Sequence, residues 1–127
     1  MPLDDTRDTP GYVCGRIIAA YELIAAQAGQ QLPPADLDLS ATHPIYTIPR
    51  LRAGQVRQAI AHTRRQNPRG AARTEEYIAD LVAKLDRFPE RLDMKQRAEY
   101  VLGHAHQKVV GLPKGVASRS QTCWSTS

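Results

Sequence analysis

Apolar residues recur at three- and four-residue spacing in four stretches of this chain, the period of an amphipathic helix. The first stretch predicts a helix from about Thr9 to Ala28. Pro10 sits in its first turn, where a missing N–H costs nothing, and Gly29 stands just past its end. Val13, Ile17, Tyr21, Ile24 and Ala28 make its buried face, and Ala19, Ala20, Ala25 and Ala26 let another helix come close. A second helix is predicted from Pro49 to about Gln66, with Thr47 as its cap and Leu51, Val56, Ala59, Ile60 and Thr63 inward. Asn67-Pro68-Arg69-Gly70 reads as the turn that breaks it. A third covers roughly 72–85, with Tyr77, Ile78, Leu81, Val82 and Leu85 in the core and Glu75 and Glu76 at the positive end of its dipole. The fourth opens on Asp93 with Gln96 three residues on, as in a capping box. It carries the stripe Ala98, Val101, Leu102, Ala105 and Val109, and ends at Gly111 and Pro113.

Residues 29–48 join the first two helices. Pro33, Pro34 and Pro44 exclude one long helix there, while Leu37, Leu39, Ile45, Tyr46 and Ile48 predict that the connector packs on the core. A connector of this length is usually functional or docked against something. The fold class is therefore all-α: an antiparallel four-helix bundle with a long ordered connector between helices 1 and 2, which leaves room for a fifth short helix. Residues 1–9 read as a flexible arm, 10–111 as the bundle and 112–127 as a flexible polar tail.

At 127 residues the chain suits one domain, and its 6% aromatic content favours packed helices over a sandwich. The first nine residues hold no apolar core, and no apolar stretch is long enough to span a membrane, so the expectation is a cytosolic protein. Cys14 and Cys123 lie at opposite ends, which argues for reduced thiols rather than a disulfide or a zinc pair.

The net charge of +4 permits a polyanion partner without demanding one. Its distribution says more. Arg50, Arg52, Arg57, Arg64, Arg65, Arg69 and Arg73 follow one another with no acidic residue between Arg50 and Arg73. Arg50, Arg57 and Arg64 are seven apart, and on a straight helix each such step returns to within about 20° of the same direction. They would form one stripe about 21 Å long. Spaced guanidinium groups on a rigid rod bind a phosphate backbone by counterion release, without reading sequence. Arg50, Arg57, Arg64, Arg65, Arg69 and Arg73 are the candidate nucleic-acid-binding residues. The alternative is a solvated face, or one paired with acids of a protein partner. Lys84, Arg87, Arg91, Lys95 and Arg97 form a second cluster, but Asp86, Glu90, Asp93 and Glu99 interleave with it and favour local ion pairs.

No catalytic or metal-binding constellation stands out. His104 and His106 are two apart, so on a regular helix they point in nearly opposite directions and cannot share a metal. Asp4, Asp5 and Asp8 in the arm and Asp36 and Asp38 in the connector fit neither a calcium loop nor a paired acid–base device. No cofactor or small-molecule substrate is expected.

Four strings, in order, carry a resemblance. Tyr12-Val13-Cys14-Gly15-Arg16-Ile17-Ile18-Ala19-Ala20-Tyr21-Glu22 is similar to the helix that opens the C-terminal domain of the type I-C CRISPR Cascade large subunit. Ala41-Thr42-His43-Pro44 with Ile48-Pro49-Arg50-Leu51 resembles its connector, and Phe88-Pro89-Glu90-Arg91-Leu92 its Phe-Pro-x-x-Leu turn. Gln96 with Tyr100-Val101-Leu102-Gly103-His104-Ala105-His106-Gln107 resembles its closing signature. Cys14 and His104 stand where that family usually has leucine and tyrosine.

The resemblance covers about residues 11–108. It implies a non-catalytic small subunit, made separately by internal translation. Such a subunit would stack along the Cascade backbone subunits beside the large subunit, in more than one copy. It would contact the R-loop formed by CRISPR RNA and target DNA, chiefly the displaced non-target strand. Gly15 and Gly103 would then be close-packing points between the first and fourth helices. The rival reading is a purely structural spacer whose basic face pairs with acidic subunit surfaces.

Overall fold

The computed structural model describes residues 9–113; the arm expected before Thr9 and the tail expected after Pro113 lie outside them. Six α-helices follow in order: α1 (Pro10–Gln27), α2 (Pro34–Thr42), α3 (Pro44–Leu51), α4 (Arg57–Gln66), α5 (Pro68–Ala83) and α6 (Met94–Val110). A π-helical turn, Arg52–Val56, joins α3 to α4 without a break. No strand occurs among the described residues, and the all-helical expectation holds.

The connector between the first two helices, expected to be ordered with room for one short helix, begins with one short helix and passes into a second that continues as the next predicted one. Pro34 and Pro44 each stand at the first position of a helix, where proline's fixed φ helps and its missing N–H is not needed. The prolines exclude one long helix, as expected, by dividing the segment between two helices. The second predicted helix therefore begins at Pro44, not Pro49, and Pro49 lies inside it. Thr47 is not its cap; its hydroxyl donates to His43 O, one turn back, at 3.1 Å. Leu39 and Tyr46, expected in the core, are exposed. Pro68 likewise opens α5 four residues earlier than predicted, with Asn67 as cap, its side chain accepting from Gly70 N at 3.0 Å. Glu75 and Glu76 are thus beyond the first turn and too far along the helix for the dipole to favour them.

α1 is the centre of the molecule. Every residue from Gly11 to Tyr21 is buried, so the helix has no solvent face over three turns, where the sequence pattern predicts a single buried one. Its closest neighbour is α6. A Cβ on Gly15 would sit 2.1 Å from Tyr100 O, one on Gly103 2.1 Å from Tyr12 O, and one on Gly11 2.1 Å from Gln96 O. Backbone touches backbone at all three points, which only glycine allows; the expected packing role of Gly15 and Gly103 is thereby met.

The buried side of α6 is not the aliphatic stripe read from sequence. Val101 is 64% and Val109 69% exposed, while Tyr100, Gly103, His106 and Gln107 face inward. Polar pairing with α1 explains the inversion. Tyr12 Oη and His106 Nδ1 are 2.8 Å apart. Arg16, 1% exposed, donates from Nε to Gln107 Oε1 at 3.0 Å and from its terminal amine to Tyr77 Oη at 3.2 Å. Gln107 in turn donates to Gly111 O at 2.8 Å. A buried polar group with its hydrogen bonds made is tolerated in a core, and here those bonds tie α1, α5 and α6 together. Asp93 caps α6 as predicted, accepting from Gln96 N at 2.8 Å. The Gln96 side chain, though, accepts from Gly11 N of α1 at 2.7 Å, satisfying one of the N–H groups that the start of a helix leaves open.

The turn before α6 docks on the α2–α3 junction through two backbone bonds, Ile45 N to Pro89 O at 3.0 Å and Leu92 N to Thr42 O at 3.1 Å. The four recognisable strings thus meet in pairs: the first with the last across α1 and α6, the second with the third at this junction.

Candidate nucleic-acid interface

The arginine run lies on α3, the π turn, α4 and α5. The π turn decides which arginines share a face. It accommodates one residue more than an α-helical turn, and one added residue moves the following side chains by about 100° around the axis. A seven-residue spacing that crosses the π turn therefore does not return to its starting face. Arg50 accordingly faces the connector and forms an ion pair with Asp36 of α2. Arg57 and Arg64, both within α4, keep their common face. Arg52, which the heptad spacing leaves out, joins them.

These three line a groove of about 420 Å³ between α4 and α5, together with Val56, Ile60, Ala61, Glu75 and Ile78. Glu75 of α5 forms an ion pair with Arg64 across it, both side chains about half exposed. Arg65, Arg69 and Arg73 are exposed, the first near the end of α4 and the other two in the first half of α5. Of the six candidates, the structure brings Arg57 and Arg64 into one groove, leaves Arg65, Arg69 and Arg73 exposed outside it, and turns Arg50 to Asp36. Arg52 is the residue that sequence periodicity missed; its signal was only its membership of the acid-free run.

The groove is anchored to the core. Burial raises the Tyr21 phenol well above its usual range, and the nearby Arg52 cation pulls it the other way. Val56 and Ile78, both in the groove wall, are buried and belong to the central cluster. The arginines therefore project from a fixed frame rather than from a loop.

The second basic cluster is mixed as expected. Lys84, Arg87 and Arg91 line a wider cleft with Asp86 and Glu90, and Arg97 Nε donates to Leu92 O at 3.2 Å. The two helical histidines separate as the spacing requires: His106 is buried on Tyr12, and His104 pairs with Glu22. Burial acts to raise the Glu22 pKa, but the His104 hydrogen bond and charge, with Lys108 at 3.6 Å, outweigh it and hold the carboxyl below its ordinary value. Cys14 is a buried free thiol whose pKa burial pushes up to about 12. Among the described residues no three His, Cys, Asp or Glu side chains gather as a metal site, and no helix is long and apolar enough to cross a membrane.

Compared with known proteins, residues 1–110 match the family described as CRISPR-associated protein (Cas_Csd1). No curated protein matches the chain.

Proposed function

The chain belongs to the Cas_Csd1 family of CRISPR-associated proteins, subunits of the type I-C Cascade complex, and from that premise we propose that it is a non-catalytic small subunit that helps hold the opened DNA target. In this reading it stacks along the backbone subunits beside the large subunit, in more than one copy. Its arginine face contacts the displaced non-target strand through phosphates. Guide pairing reads sequence in such complexes, so a subunit that only steadies the open state needs backbone contacts and no base code.

One observation carries the reading: Arg52, Arg57 and Arg64 line a single groove with one acid, Glu75, and Arg65, Arg69 and Arg73 are exposed on the same two helices. A rigid positive strip of this kind is what counterion release rewards. The spacer reading keeps support from the Arg50–Asp36 and Arg64–Glu75 pairs, in which these guanidinium groups pair with carboxylates.

The double substitution Arg57→Glu with Arg64→Glu separates the two. Affinity for single-stranded DNA should fall, and the slope of log K against log salt should flatten by roughly 1.4, about 0.7 for each lost phosphate contact. Unchanged affinity and slope, with failure to join the complex, would establish the spacer instead.

A further inference from the structure

The α4–α5 groove has an apolar floor beneath its charged rim. Val56 and Ile78 are buried there, and Ile60 and Ala61 are half-buried. Contact with phosphates alone needs cations and no floor. A space of about 420 Å³ is of the size that takes a small ligand. The body that suits an aliphatic slot rimmed by guanidinium groups is flat, uncharged and attached to anions on either side. An unstacked nucleobase in a single strand has that chemistry; a paired base in a duplex keeps its faces covered.

We infer that this groove is a base-accepting subsite for single-stranded DNA, in which one unstacked base lies on the half-buried Ile60 and Ala61, backed by Val56 and Ile78 of the core, while Arg52, Arg57 and Arg64 hold the phosphates beside it. Arg57 and Arg64 are about 10 Å apart along the helix axis at 1.5 Å per residue, room for the strand to be gripped on both sides of one base. Guanidinium planes stack on bases as aromatic rings do, and every base has an apolar face, so the subsite selects single strand over duplex without preferring a sequence. The inference rests on the reading that this face binds nucleic acid.

The test compares the full chain's affinity for an oligothymidine strand, an abasic strand of equal length and charge, and a duplex, by fluorescence anisotropy across a salt series. The oligothymidine should bind roughly fivefold tighter than the abasic strand, the lower end of what stacking one base gives, with the same salt slope. Ile60→Ser should erase that difference and leave the slope. Equal affinity for the abasic strand and the oligothymidine overturns the subsite while the phosphate-binding face survives. No salt-dependent binding to any of the three overturns both.

Discussion

Gly15→Ala tests the crossing on which the whole arrangement depends. Helix propensity alone predicts that it stabilises, because alanine is better than glycine in a helix interior by about 1 kcal/mol. The tertiary structure predicts the opposite. The new methyl group would lie 2.1 Å from Tyr100 O and 2.8 Å from His104 N, both backbone atoms, and ordinary contact begins near 3.4 Å. No side-chain rotation relieves such a clash, so α1 and α6 must part by more than an ångström. That separation loosens the Arg16–Gln107 and Tyr12–His106 hydrogen bonds that span the crossing. Overpacking that forces backbone shifts costs about 1–3 kcal/mol, occasionally more; a backbone clash this deep belongs at the upper end, and less the propensity gain of about 1 kcal/mol the net loss should be about 2 kcal/mol. For a domain of about a hundred residues that lowers Tm by roughly 8 °C or more. Gly54→Ala is the control: its Cβ would meet nothing within 4 Å, its φ is not positive, and it should raise Tm by a few degrees. Circular dichroism melts of the two variants give the answer. A Gly15→Ala chain that melts cooperatively at or above the wild-type temperature would refute the close crossing.

Three further outcomes follow from the same coordinates. Glu75→Gln frees Arg64 and removes the one acid of the groove; single-stranded DNA should bind a few-fold tighter with a steeper salt slope, since an exposed ion pair worth about 0.2–1 kcal/mol no longer competes, and unchanged binding would remove Arg64 from the interface. The Glu22 carboxyl is held below its ordinary value in the folded chain, so its contribution to stability is complete above the unfolded value near 4.5 and disappears as pH falls through the lowered native one. Glu22→Gln should flatten the dependence of Tm on pH between about pH 6 and 3, and an identical profile would contradict the His104 and Lys108 pairing. Cys14, buried with its thiol pushed up to about 12, should resist a disulfide reagent at pH 8 in a Cys123→Ser chain and react fully in denaturant; native reactivity would mean that α1 opens.

The helical class, the extents of α1 and α6 and the cap at Asp93 were legible because each depends on neighbours within four residues: proline at the first turn, glycine after the last, an acid facing free N–H groups. The kinship was legible for a related reason. Its strings hold the glycines and polar residues that join α1 to α6 and the turn at Pro89 to the α2–α3 junction, where few other residues fit. The prolines of residues 33–49 rightly excluded one long helix but misplaced the start of the next one at Pro49, because a proline at a helix's first position favours the helix. Here Pro34 and Pro44 arrive at the start, and Pro49 is carried inside a helix buried through Ile48 and Leu51. Which face of α6 is buried could not be read from hydrophobicity, since the inward positions are filled by His106 and Gln107, whose partners Tyr12, Arg16 and Tyr77 lie 30 or more residues away. The arginine run itself was plain in the sequence, but its heptad spacing presumed an unbroken α-helix. One π turn set Arg50 apart, brought Arg52 in beside Arg57 and Arg64, and left to the packing of α4 on α5 the decision that these cations rim a groove with an apolar floor.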